Sequence, residues 1–106
     1  RGHIININSV SANTVYFDSS VYSASKAGLL ALSNCVRKEV RKFNIKVTNI
    51  FPGATETAMW DAKTRQKNRN RMMSPEDIAK ITLQTFEQPK KVLIEDIIIR
   101  PLKGDL

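Results

Sequence analysis

Tyr22 and Lys26 lie four residues apart. On a helix, that spacing sets a phenol beside an ammonium on one face. A neighbouring cation favours the phenolate, so the pair is suited to giving or taking a proton near neutral pH. Ser9, thirteen residues before Tyr22, adds a hydroxyl able to hydrogen-bond an oxygen whose charge is changing. These groups are equipped for proton transfer to a carbonyl oxygen. They include no hydride donor, so a redox role needs a cofactor.

The elements that carry these residues are legible along the chain. His3–Asn8 is Ile-rich and reads as a strand, and the small polar residues of Ser9–Asp18 read as a loop. From Ser20 to about Phe43, Ala24, Ala27, Gly28, Ala31, Leu32, Cys35 and Val36 recur at helical steps. Ser19 or Ser20 can cap that helix, and Arg37, Lys38, Arg41 and Lys42 suit the negative end of its dipole. Ile45–Phe51 alternates and is β-branched, which predicts a second strand stopped by Pro52-Gly53. Thr57–Arg71 reads as a weak basic helix or a mobile loop. Ser74-Pro75-Glu76-Asp77 is a strong helix start, with the helix running to about Phe86. Gln88-Pro89-Lys90 is a turn, and Val92–Ile99 a third strand.

Strands alternating with helices predict an α/β fold with parallel pairing and right-handed crossovers. The expected architecture is part of a doubly wound, Rossmann-like parallel sheet in the order strand-helix-strand-helix-strand. In such sheets the ligand crevice lies outside the carboxyl ends of the strands. Ser9 and the segment after Pro52 are therefore expected at one site.

Three motifs occur in order: Asn6-Ile7-Asn8-Ser9, Tyr22-Ser23-Ala24-Ser25-Lys26 and Pro52-Gly53-Ala54-Thr55-Glu56-Thr57. Together they closely resemble the classical short-chain dehydrogenase/reductases, whose Y-x-x-x-K helix follows a strand ending in a catalytic Ser. The resemblance runs the length of the chain. It implies that Tyr22 is the general acid/base, that Lys26 holds the nicotinamide ribose and tunes Tyr22, and that Ser9 orients the substrate oxygen. It places Pro52, Gly53, Thr55 and Thr57 in the loop that touches the nicotinamide carboxamide and phosphates, Thr55 chiefly through its backbone. Asn8 stands where a Ser is often found. The implied cofactor is NADP or NAD, and the implied substrate a small alcohol or carbonyl compound. The assembly implied is a homodimer or homotetramer, with the Ser20–Phe43 helix in an interface. Ser9, Met59 and Trp60 are expected to border the substrate pocket. The final Ile99–Leu106 segment looks closest to the branch of 3-hydroxy acid and serine dehydrogenases and general carbonyl reductases. The family's Gly-rich phosphate loop, ribose selector, N-A-G motif and helix Asn all precede the Ser strand, and no G-x-x-x-G-x-G occurs here. Residues 1–106, which open Arg1-Gly2-His3 without an initiator Met, are therefore expected to be the C-terminal part of a single Rossmann-like domain lacking its N-terminal dinucleotide-binding half.

Composition agrees with a folded chain. The 106 residues are 42% hydrophobic and 25% charged, room for one globular domain. No apolar run approaches the roughly 18 residues of a helical membrane span. Cys35 is the lone cysteine. It permits no internal disulfide or Cys-based zinc site, suits a reducing cytoplasmic compartment, and is expected to be a small core residue. His3 is expected at a strand end, with nothing marking it as a ligand. The net charge of +7 concentrates in Arg37–Lys46 and Lys63–Arg71. The second run reads as a solvated face or as an attractor of anionic substrates or acidic carriers. With Met59, Trp60, Met72 and Met73 it either lines an apolar pocket or docks onto the core. Two other functional readings stay open: an inactive interaction module, and a basic nucleic-acid-binding domain, though aromatic stacking and finger signatures are missing.

Overall fold

A computed structural model of the chain describes residues 2–106. The elements run β1 (Gly2–Ile7), α1 (Ser20–Val40), β2 (Ile45–Pro52), α2 (Ala62–Asn68), α3 (Pro75–Phe86) and β3 (Asp96–Ile99). The strands form one sheet in the order β1-β2-β3. Both pairings are parallel, with Gly2 opposite Ile45 and Asn49 opposite Asp96. This is the expected α/β arrangement, with all three strands ending on one edge.

β2 is the centre, and its residues Val47–Phe51 are essentially inaccessible to solvent. Two of them, Thr48 and Asn49, are polar, and each is hydrogen-bonded, as burial requires. Thr48 Oγ1 donates to the Ile94 carbonyl at 2.7 Å. It must then accept from His3 Nε2, 2.8 Å away, which fixes the neutral ring's proton on Nε2. Burial, and then the charge of Lys46, lower the His3 pKa below its ordinary 6.5. The ring also stacks on Phe86.

Several boundaries differ from the sequence expectation. The third strand begins at Asp96 rather than Val92. Before it, Val92 is held in a turn by its amide donating to the Pro89 carbonyl, the Ile94 carbonyl accepts from the Thr48 side chain, and the Glu95 carbonyl is shared between the Asn49 amide and Arg37. The first helix ends at Val40, tightens into a 3-10 turn over Arg41–Phe43, and stops at Asn44 with φ 59°, a left-handed conformation that Asn tolerates. The Ser9–Asp18 loop holds a 3-10 turn at Val10–Ala12 whose Val10 is buried. The ambiguous Thr57–Arg71 segment contains a true helix, capped by Asp61 Oδ1 accepting from the Thr64 amide at 3.1 Å. The predicted start of α3 is a full capping box between Ser74 and Asp77.

The face of α1 turned to the sheet is polar. Ala24, Ala27, Gly28, Ala31, Leu32 and Cys35 are exposed, whereas Ser33 and Arg37 are buried. Cys35 is thus a surface residue, not a core one. The reason lies under the helix. Arg37 Nε donates to the Val47 carbonyl at 2.9 Å, and its Nη2 donates to the Glu95 carbonyl and to Asp96 Oδ1 at 2.8 and 3.1 Å. Asn49 Nδ2 donates to the same Asp96 oxygen, and Asn6 Nδ2 donates to Ser33 Oγ at 2.6 Å. No side-chain atom of this network is buried without a partner, as burial of polar groups requires.

Candidate active site

The network fixes the rotation of α1. Tyr22 and Lys26 are half-buried and share the sheet-facing side of the helix with Ser33 and Arg37. Lys26 Nζ sits over the Tyr22 ring, 5.6 Å from its centroid, so the spacing of four delivers the contact it predicts. Ser19 Oγ donates to the Tyr16 carbonyl at 3.2 Å and so accepts from Ser23 Oγ at 3.1 Å, which stiffens the turn that presents Tyr22.

Ser9 follows β1 and is buried. Its Oγ accepts from the Ser11 amide at 3.1 Å, capping the 3-10 turn. That leaves the hydroxyl hydrogen available to a further oxygen. Among the described residues no hydrogen bond runs directly from Ser9 to Tyr22 or Lys26. The connection goes through Asn8. Asn8 Oδ1 accepts from the Ser9 amide at 2.8 Å, and Asn8 Nδ2 donates to the Lys26 carbonyl at 3.2 Å. The Asn8 amide also donates to the Ile50 carbonyl at 2.7 Å.

The segment after β2 is built around Gly53. Its amide donates to the Ile99 carbonyl at 2.7 Å. A Cβ there would lie 3.3–3.4 Å from Arg100, Ile99 and Pro101, tight enough to favour Gly. Thr55 Oγ1 donates back to the Gly53 carbonyl at 3.0 Å, so this side chain is used within its own turn. Thr57 Oγ1 accepts from the Met59 amide at 3.3 Å and keeps its hydrogen. Trp60 Nε1 donates to the Thr55 carbonyl at 2.9 Å, docking the half-buried indole onto the turn, while Met59 is 74% exposed. Met73 bonds to Ala54 and Glu56 on either side of Thr55.

Sequence reasoning missed Glu56. It lies 3.2 Å from both Arg65 Nε and Arg69 Nε. Arg65, foremost through its hydrogen bond, holds the Glu56 carboxyl below its ordinary value of 4.5. Arg71 Nη2 donates to the Asp105 carbonyl at 2.8 Å. Three members of the basic run are therefore spent on holding α2 and the chain's last residues in place. Asp105 also accepts from Tyr16 at 2.9 Å and lies 3.6 Å from Arg100, tying those residues to the loop before α1.

A family model described as short chain dehydrogenase matches residues 1–68, which include Ser9, Tyr22, Lys26 and the Pro52–Thr57 turn. The chain belongs to the short-chain dehydrogenase family. A sepiapterin reductase of Chlorobaculum tepidum is 41% identical over 105 residues, covering 99% of this chain and 43% of the relative. An uncharacterized oxidoreductase of Staphylococcus aureus is 38% identical over 101 residues, covering 95% of this chain and 43% of its own length. Among solved structures, serine dehydrogenase from Escherichia coli superposes with a TM-score of 0.81 at 25% identity, covering all of this chain and 43% of that one. A closed form of serine dehydrogenase complexed with NADP+ gives 0.88 at 26% identity, covering all of this chain and 46% of that one. This short-chain dehydrogenase chain thus spans about 43% of the length of the curated relatives it matches. The serine dehydrogenase likeness agrees with the branch read from its final residues.

Proposed function

We propose that this chain is the C-terminal part of the single domain of an NAD(P)-dependent oxidoreductase that interconverts an alcohol and a carbonyl compound. One observation carries the reading: Lys26 Nζ lies over the Tyr22 ring on the helix whose Lys26 carbonyl is joined, through Asn8, to Ser9. Proton-transfer, cationic and oxygen-binding groups are thereby held by one set of elements.

The residues present fit the nicotinamide end of a dinucleotide. Lys26 brings three N–H donors on a half-buried stem, suited to ribose hydroxyls. Thr57 keeps a hydroxyl hydrogen for the cofactor. Thr55, whose hydroxyl is used internally, contributes through its backbone, and Pro52-Gly53 set the turn. When bound, the nicotinamide supplies or accepts the hydride at the substrate carbon. At the substrate oxygen, Tyr22 gives or takes the proton, and the Ser9 hydroxyl donates a hydrogen bond that strengthens as the oxygen gains charge. The Lys26 ammonium offsets the charge left on the Tyr22 oxygen.

Met59 and Trp60 border the substrate pocket with Ser9, Met59 through its exposed thioether chain. The exposed small-residue face of α1, flanked by Val21 and Leu32, is the interface of a homodimer or homotetramer in a cytoplasmic setting. Among the described residues no helix is long and apolar enough to cross a membrane.

The test is nicotinamide absorbance with the full-length protein and a panel of aldehydes, ketones and hydroxy acids. Turnover with one nucleotide is expected. No absorbance change with NADPH, NADH, NADP+ or NAD+ across the panel contradicts the reading.

A further inference from the structure

Asn8 occupies a position that the proton-transfer set does not itself use, yet it joins the two halves of that set. It is 4% exposed, and its side-chain amide is used at both ends. Oδ1 accepts from the Ser9 amide at 2.8 Å and Nδ2 donates to the Lys26 carbonyl at 3.2 Å. The polarities are fixed by the partners, since an N–H can only donate and a C=O can only accept. A side chain here must therefore present an acceptor and a donor from one planar group, and a carboxylate of the same shape supplies only the first. The backbone of Asn8 adds a third anchor, its amide donating to the Ile50 carbonyl at 2.7 Å. Asn8 thus connects the end of β1, the end of β2 and the second turn of α1. No other hydrogen bond among the described residues ties Ser9 to the helix that carries Tyr22 and Lys26.

We infer that Asn8 is a positioning residue that sets the register between the Ser9 hydroxyl and the Tyr22–Lys26 pair. The inference rests on the oxidoreductase reading above. Well-oriented reacting groups lose rate steeply when displaced by about an ångström. Loss of the clamp is therefore felt in the chemical step more than in substrate binding.

Two variants of the full-length protein test this, alongside Tyr22→Phe. Asn8→Ala removes both side-chain bonds. Asn8→Asp keeps the acceptor for the Ser9 amide and loses the donor to Lys26. For Asn8→Ala, amide hydrogen exchange at Ser9 is expected to accelerate at least ~tenfold. Its kcat is expected to fall ~10- to 100-fold with KM for the substrate within about threefold. For Asn8→Asp the Ser9 amide stays protected while kcat still falls ~tenfold. A kcat loss that disappears on cooling well below the variant's unfolding transition marks a merely structural role and overturns the inference. So do kcat values within about twofold of wild type for both variants. Unchanged Ser9 exchange in Asn8→Ala overturns the clamp itself, whatever the protein catalyses. Near-normal turnover of Tyr22→Phe overturns the oxidoreductase reading and the catalytic half of this one, while Ser9 exchange still reports on the clamp.

Discussion

Lys26 makes contacts with both of its ends. Its ammonium faces the Tyr22 ring, and its carbonyl takes the Asn8 amide. The first contact was legible in the sequence, because helical geometry alone places residues four apart side by side. The second was not, since it joins residues 18 apart through a loop whose path no local pattern dictates. Ser9 sits between these cases. Its place after the first strand was readable, but its duty as cap of a 3-10 turn was not. Ser9→Ala in the full-length protein therefore has two expected effects. Turnover falls by about 10²-fold through the lost donor to the substrate oxygen. Stability falls by about 1 kcal/mol through the lost cap. Steady-state kinetics and thermal melts measure the two separately, and a melt shift without a turnover loss would remove Ser9 from the site.

At the level of elements, periodicity identified the α1 helix but did not keep Cys35 on its exposed side. Periodicity marks Ala24, Ala27, Gly28, Ala31 and Leu32 as a stripe, but says nothing of what the stripe meets. Arg37 decided the packing, and a buried Arg with four acceptors cannot be foreseen from its neighbours in sequence. Arg37→Ala is expected to destabilise the fold by about 2–4 kcal/mol, because the partners it leaves lose charged hydrogen bonds. A chemical denaturation series measures this, and a loss below about 1 kcal/mol would refute the anchoring role. The start of α3 was fully legible, since a capping box is written in adjacent residues. Its amide and hydroxyl bonds from Ser74 hold Asp77 below the ordinary 3.8. A lowered folded value means the contribution is complete above the ordinary value and is lost as pH falls through the folded one. Melting temperature should thus decline below about pH 4, and Asp77→Asn should flatten part of that decline. An identical acid limb in the variant would show the box to be idle.

On the scale of the whole molecule, the described residues leave large apolar surfaces exposed. β1 is a sheet edge with Ile4 and Ile7 about half exposed, and α1 presents Val21 and Leu32 to solvent. The α/β order and the three motifs were readable because each rests on local pattern. What covers these surfaces lies beyond local pattern. If α1 forms the subunit interface, Ala31→Arg in the full-length protein lowers the assembly state in light scattering, and an unchanged mass contradicts that assignment. With no Gly-rich phosphate loop in the sequence, residues 1–106 alone are expected to bind NADPH with a Kd of about 1 mM or weaker. Micromolar binding by nicotinamide fluorescence would contradict that. Tyr22 is proposed to exchange the proton at the substrate oxygen. Turnover of Tyr22→Phe, followed by nicotinamide absorbance in the full-length protein, tests it most directly. A loss of about 10³-fold or more with unchanged melting temperature and nucleotide affinity is expected, and turnover within a few-fold of wild type would remove Tyr22 from the proton transfer.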